Sequence, residues 1–375
     1  MHIVEVEKLN HLFKTLQSKG YTTIGPKVRD GAIGLDALQS AADLPQHYTD
    51  EQAPGSYTLH KNGHKAFFNF VVGPQSWKKF LYEPRTRLFS ARKNGKSFEV
   101  IPDKNGEGKR YAFIGVRPCE LQAIAIHDKV FHTGEYVDDR YQKIRDNIFL
   151  VAINCTNPGG NCFCVSVKSG PAATQGYDLV LTEVATDEKH HFLIESGSPA
   201  GEEILRDMPH RDATQDEIDC AKRMLDSAAK NMGKSLDVSN IGQKLNDNFE
   251  HAHWDDVAKR CLSCTNCTMV CPTCFCSTVE DVTDLTGEHA ERWRRWDSCF
   301  TSDFTKIAGG NTRMSTRTRY RQWLMHKFAH WQEQFGTLGC VGCGRCITWC
   351  PAGIDITREA ARITDTGVPI TTLEG

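Results

Sequence analysis

The sequence predicts an α+β protein, with an N-terminal α/β domain followed by an α-helical, cysteine-bearing domain. Three observations carry this reading. Short apolar runs bounded by Gly, Pro, Asn or Asp fill the chain to about residue 200. Helical periodicity takes over from about residue 211, and two cysteine runs of one spacing, "CLSCTNCTMVCP" and "CVGCGRCITWCP", occupy the last third.

The runs "YTTIG", "KAFFNFVV", "SFEVI", "RYAFIGV", "NIFLVAIN" and "DLVLTEV" read as strands. After "RYAFIGV", the residues Leu121, Ile124, Ile126 and Val130 lie nearer a helical face than strict alternation. Further on, Thr214 to Glu217 fits a capping box, and Ile218, Ala221, Met224, Leu225 and Ala228 follow at helical intervals until "NMGKS" ends the run. The chain of 375 residues is long enough for two or three compact units. The expected division is 1–210 for the α/β domain, 211–255 for a helical connector and 256–375 for the cysteine-bearing domain. Short helices are expected between the two cysteine runs.

A formal charge of -2 and a pI near 6.7 give no broad basic field. That argues against nucleic acid and leaves little attraction to an anionic membrane. The opening "MHIVEVEKLNHLF" lacks the layout of a signal peptide, and the runs "FFNFVVG" and "IFLVAIN" are too short to span a bilayer. A soluble, cytoplasmic protein without direct membrane insertion is therefore expected. Its 16 cysteines would be reduced there, so metal ligation explains their number better than disulfides. None precedes Cys119, and most crowd into 261–350.

Cysteines separated by two, two and three residues let three sulfurs from one loop seize a face of a [4Fe–4S] cube, while the fourth, before Pro, reaches the other cluster. Cys261, Cys264 and Cys267 should thus share a cluster with Cys350. Cys340, Cys343 and Cys346 should share another with Cys271. Pro272 and Pro351 suit the turn that swings each fourth ligand away, and Gly342 and Gly344 would let backbone N–H groups approach the cluster sulfides. Zinc knuckles are the alternative, but each run holds more cysteine than one tetrahedral zinc requires.

A third constellation is looser. "GVRPCELQ" supplies Cys119 and "NCTNPGGNCFCVSVKSGP" supplies Cys155, Cys162 and Cys164. Parallel strands ending at one edge would bring the four together for a third cubane; otherwise they are packed or reducible thiols. Cys274, Cys276 and Cys299 lack an evident fourth partner. They line the first cluster's surroundings, hold a cluster with an open iron, or simply pack. Cys220 reads as structural.

The Arg-rich segment holds Arg292, Arg294, Arg295, Arg313, Arg317, Arg319 and Arg321, interleaved with Trp293, Trp296, Tyr320 and Trp323. It reads as a nucleic-acid stripe, as cations beside anionic cubanes, or as solvated ion pairs. No GxGxxG after a strand, P-loop, GxSxG or HExxH occurs, so no nicotinamide or flavin signature is present and no catalytic residue is assigned.

The ordered set "GVRPCE", "NCTNPGGNCFCVSV", "GYDLVLTEV", "CLSCTNCTMVCPTCFC", "RRWDSC" and "CVGCGRCITWCP" resembles the beta subunit of cytoplasmic sulfhydrogenase-type [NiFe] hydrogenases. The iron–sulfur subunit of anaerobic sulfite reductase shares the pattern, and the likeness runs from about Gly20 to Ile356. "GYTTIGP" and "DEQAPGSYTL" look closer to the hydrogenase branch. The resemblance implies an N-terminal α/β domain followed by an α-helical, ferredoxin-like domain with two [4Fe–4S] clusters, and favours a third at Cys119, Cys155, Cys162 and Cys164. It implies an electron-transfer subunit, with no substrate bond broken on this chain. The partners would be a subunit binding FAD and NAD(P) together with the small and large [NiFe] hydrogenase subunits. A sirohaem sulfite reductase subunit is the alternative partner. A catalytic alternative reduces sulfur or polysulfide at an exposed cluster near Cys274, Cys276 and Cys299, and a zinc-binding structural protein comes last.

Overall fold

The structure is a computed structural model and describes residues 1–103, 108–186 and 188–365. The end of the expected C-terminal domain, 366–375, lies outside the described residues. The fold is α+β, as expected.

Among the described residues an eight-stranded mixed sheet forms the larger layer. At its centre the strands Thr22–Arg29, Tyr111–Val116, Ile148–Ile153 and Leu179–Ala185 run parallel. The last three of these read as mostly apolar runs because both faces are covered. One face packs on helices Leu9–Ser18 and Pro199–Arg206 through Leu12, Phe13, Ile204 and Phe192. The other packs on Pro118–Phe131 and Asp139–Arg145 through Phe113, Ile124 and Tyr141.

Helix Gln215–Lys230 begins at the capping box of Thr214 and Glu217 and lays Ala221 against the sheet edge. Cys220 and Met224 pack beside it. The helical core gathers Trp254, Phe300, Tyr320, Trp323, Phe328 and Ile356. A buried His253 sits 2.5 Å from Glu359, which also meets Arg260 at 2.9 Å. That pairing holds helix His253–Arg260 against helix Ile356–Thr364, immediately before the first cysteine run.

Two expectations need correction. Residues 65–72, "KAFFNFVV", are not a strand. Phe67, Phe68, Phe70 and Val72 are buried, but side chains satisfy their backbone. Glu183 accepts from the N–H groups of Phe67 and Phe68, Asp50 from that of Val71, and Arg117 donates to the carbonyls of Phe68 and Phe70. Nor do helices alone fill the stretch between the cysteine runs. Strands Ser277–Thr283 and His289–Trp296 come first and extend a sheet with Arg85–Asn94 and Ser97–Pro102. Neither "STVEDVT" nor "ERWRRW" alternates, since Val279 and Val282 lie three residues apart, as do Trp293 and Trp296, so no two-residue period marks these strands in the sequence. Helices then follow from Thr316 to Phe335.

No helix among the described residues is long and apolar enough to cross a membrane.

Candidate metal centres

The two cysteine runs fold alike. Each begins in an extended loop and ends in a one-turn helix, Asn266–Met269 or Arg345–Thr348, that carries the third cysteine at its second residue. Ser263 (φ 50°) and Thr265 (φ 68°) occupy the positions that Gly342 (φ 62°) and Gly344 (φ 73°) take in the second run. The left-handed turns curl each loop so that its sulfurs face one cavity.

Around the first cavity stand Cys261, Cys264, Cys267 and Cys350, with Cys346 on its wall and about 440 Å³ of space, part of it open to solvent. The second is lined by Cys271, Cys340, Cys343 and Cys346 and holds about 300 Å³. Each fourth sulfur thus arrives from the opposite run. A third cavity, of about 450 Å³, is lined by Cys119, Cys155, Cys162 and Cys164. The sheet explains that assembly. Tyr111–Val116 and Ile148–Ile153 are neighbouring parallel strands. Cys119 follows the first in the opening turn of helix Pro118–Phe131, and Cys155 follows the second. The loop after Cys155 then returns Cys162 and Cys164.

Cys274, Cys276 and Cys299 line a further cavity with Lys327 and His326, and Trp323 stands on the wall of both it and the first. Cys343 lines both the second and third cavities, Cys346 both the first and second, and Lys327 both the second and this further one. The four cavities are therefore contiguous, with the second at the centre.

The donor set fits iron–sulfur clusters. Burial pushes the Cys340 and Cys164 thiols up to about 12, so a bare thiolate is disfavoured there unless a metal takes it up. Cys276 is brought down to about 7 by the hydrogen bond it takes from the Cys299 thiol. Among the described residues no three His, Cys, Asp or Glu side chains form a group tight enough for a single metal ion. The sulfurs are instead arrayed around cavities, as a cubane requires.

Of the three readings of the Arg-rich segment, ion pairing is the one its contacts follow. None of the seven arginines of 292–321 lines a cavity. Arg292, Arg294, Arg295, Arg317 and Arg321 pair with carboxylates, and Arg319 bonds backbone carbonyls. The cations that do face the sulfurs are Arg117 and Arg345 at the third cavity and Lys327 at the second. Arg345 is buried, 2.5 Å from Glu120, a residue of the helix that carries Cys119. The spacing of the runs gave no sign of these four residues, because their role depends on contacts between distant segments.

Gly342 and Gly344 also have a steric reason beside the expected one. A Cβ on Gly342 would lie 2.7 Å from the Cys164 backbone, and one on Gly344 would lie 2.5 Å from the Asn161 carbonyl. The glycines admit the loop of the third cavity, and the Phe163 N–H donates to the Gly342 carbonyl at 2.8 Å. The Gly342 N–H also reaches toward a sulfur, Cys340 Sγ at 3.5 Å. The stretch "DEQAPGSYTL" forms the hairpin Tyr48–Ala53/Ser56–Lys61, whose tip donates from the Gly55 N–H to Ile347 and whose Tyr57 stacks on Trp349.

A family of 4Fe-4S dicluster domains matches residues 260–354. Sulfhydrogenase 2 subunit beta of Pyrococcus furiosus is 34% identical over 283 residues, covering 74% of this chain and 79% of the relative. No solved structure matches.

Proposed function

This chain belongs to the sulfhydrogenase beta-subunit family, and from that premise we propose that it is the electron-transfer subunit of an NAD(P)-linked [NiFe] hydrogenase. It would act in the cytoplasm, between a subunit binding FAD and NAD(P) and the hydrogenase small and large subunits. The coarser role, iron–sulfur electron transfer, rests on the dicluster domain and the relative together.

We assign Cys261, Cys264, Cys267 and Cys350 to one [4Fe–4S] cluster, and Cys271, Cys340, Cys343 and Cys346 to a second. Cys119, Cys155, Cys162 and Cys164 are assigned to a third. When bound, such clusters supply reversible one-electron chemistry without making or breaking a substrate bond. The chain's own residues give each site its character. Trp323, Tyr320 and Phe300 keep water from the inner wall of the first cavity. Exposed Cys264 and Leu262, the latter 67% accessible, leave its outer rim at the surface. Arg345 and Arg117 place fixed positive charge at the third cavity, which favours an anionic cluster there.

The observation that carries this reading is contiguity. Cys343 and Cys346 are shared walls, so three cysteine-lined cavities adjoin in series, from the one beside the sheet to the exposed rim of Cys264. A buried row of adjacent redox sites suits relay between partners.

The test is anaerobic affinity purification from the native source with metal and flavin analysis. Co-purification with nickel and FAD, and dye reduction by H2 that depends on Cys264, is the expected result. Co-purification with sirohaem and no nickel would instead place the chain in a sulfite reductase.

A further inference from the structure

Cys274, Cys276 and Cys299 are not used by the three assigned sites, yet they do not point at random. Strands Ser277–Thr283 and His289–Trp296 pair from Ser277↔Trp296 onward, and the Asp297 N–H donates to the Cys276 carbonyl at 2.8 Å. The hairpin thus returns Cys299 to the side of Cys276. The resulting cavity holds about 320 Å³, close to the 300 Å³ of the second ferredoxin-type site. His326 supplies its fourth metal-binding side chain. That residue opens the π-turn His326–His330, a distortion that redirects side chains and recurs at functional sites. Its ring nitrogens have no hydrogen-bond partner among the described residues; its ring contacts are with Phe275 and Trp331.

A second, independent observation is charge. Lys327 and Lys78 are each only 4% exposed, and neither meets a carboxylate among the described residues. Lys327 Nζ lies 3.2 Å from Cys271 Sγ and 3.5 Å from Cys274 Sγ, between the second cavity and this one. Lys78 Nζ donates to the Cys274 carbonyl at 3.0 Å and lies 3.9 Å over the Trp296 ring. Two buried ammonium groups without carboxylates are costly unless an anion lies beside them. Clusters with thiolate ligands supply that anion.

We propose that Cys274, Cys276, Cys299 and His326 together hold a fourth [4Fe–4S] cluster, an imidazole taking the place of one thiolate. Imidazole ligation of iron in iron–sulfur clusters has precedent. A single zinc is the competing occupant of a three-cysteine, one-histidine set. This site rests on the iron–sulfur reading of the chain but fails differently from it. A chain without iron would sink both, whereas a chain with three clusters only would sink this proposal alone.

The full chain, purified without oxygen, is expected to contain about sixteen irons and as many acid-labile sulfides, against about twelve for three cubanes. Cys299→Ser should lose about four irons and leave the other cluster signals in place. Pulsed EPR of reduced protein labelled with 15N-histidine should show a nitrogen coupling, which needs no variant, and His326→Cys should remove that coupling while keeping the iron. About twelve irons in the wild type, with Cys299→Ser unchanged, would overturn the proposal. One zinc per chain lost in Cys299→Ser, or a labelled spectrum without nitrogen coupling, would overturn it equally.

Discussion

The two cysteine runs share a spacing and a backbone path, but their surroundings are opposite. In the first, "CLSCTNC", Leu262 and Cys264 face solvent. In the second, "CVGCGRC", Val341 is 2% exposed and Arg345 is buried. Position by position, Ser263 and Thr265 hold left-handed turns where Gly342 and Gly344 hold theirs, and Asn266 stands where Arg345 stands. Asn266 Nδ2 donates to the neighbouring Trp349 carbonyl at 2.6 Å, whereas Arg345 crosses to Glu120 of the sheet layer. Left-handed backbone alone therefore does not require glycine here, since Ser and Thr adopt it. Glycine is required where the loop of the third cavity presses against the turn. One run builds a rim and the other a hub.

The largest expected contrast follows from the ion pair. Arg345→Met leaves Glu120 buried without its charge partner and should cost about 3–5 kcal/mol in anaerobic denaturant unfolding. Asn266→Ala at the matching position should cost about 1 kcal/mol. Equal losses would remove the distinction between hub and rim. Next comes the glycine. Gly342→Ala forces a Cβ to 2.7 Å from the Cys164 backbone and should cost about 1–3 kcal/mol, with loss of iron from the third site. Ser263→Gly relieves a strained turn and should change stability by less than about 1 kcal/mol.

Charge sharpens the same comparison. Lys327→Met removes a cation 3.2 Å from Cys271 Sγ. It should lower the midpoint potential of the second centre more than that of the first in an EPR-monitored redox titration. An equal shift of both would show that Lys327 does not act locally. The smallest effect lies far from either run. Glu217 is held down to about 2 by its bond to Arg211, below an ordinary value of 4.5. Its stabilisation is present above pH 4.5 and is lost as the pH falls towards 2. The half-exposed Arg211 limits the amount to about 1 kcal/mol, and Glu217→Gln should flatten that part of the stability–pH curve.

Legibility in the sequence followed locality. The two runs could be read because three sulfurs of each come from one loop, and the strands before Cys119 and Cys155 because their apolar runs are continuous. The crossing of Cys271 and Cys350 followed from the same spacing. What escaped depends on chain segments far apart. Residues 65–72 look like a strand, but Glu183, Asp50 and Arg117 take the hydrogen bonds a neighbouring strand would have made. The hairpin of 277–296 offers no apolar alternation to read, since Val279 and Val282, like Trp293 and Trp296, lie three residues apart. Lys327, Lys78 and His326 carry no motif, and their meaning appears only when the hairpin and the π-turn close a cavity around them. The order of the sites was likewise invisible until Cys343 and Cys346 proved to be shared walls.

The central claim is that each run completes the other's site. It is tested most directly by EPR and iron analysis of Cys350→Ser beside Cys264→Ser and Cys340→Ser, all prepared without oxygen. The account predicts that Cys350→Ser removes the same cluster signal as Cys264→Ser and leaves the one that Cys340→Ser removes. If Cys350→Ser instead matched Cys340→Ser, each run would be closing on its own cluster, and the crossed arrangement would be wrong.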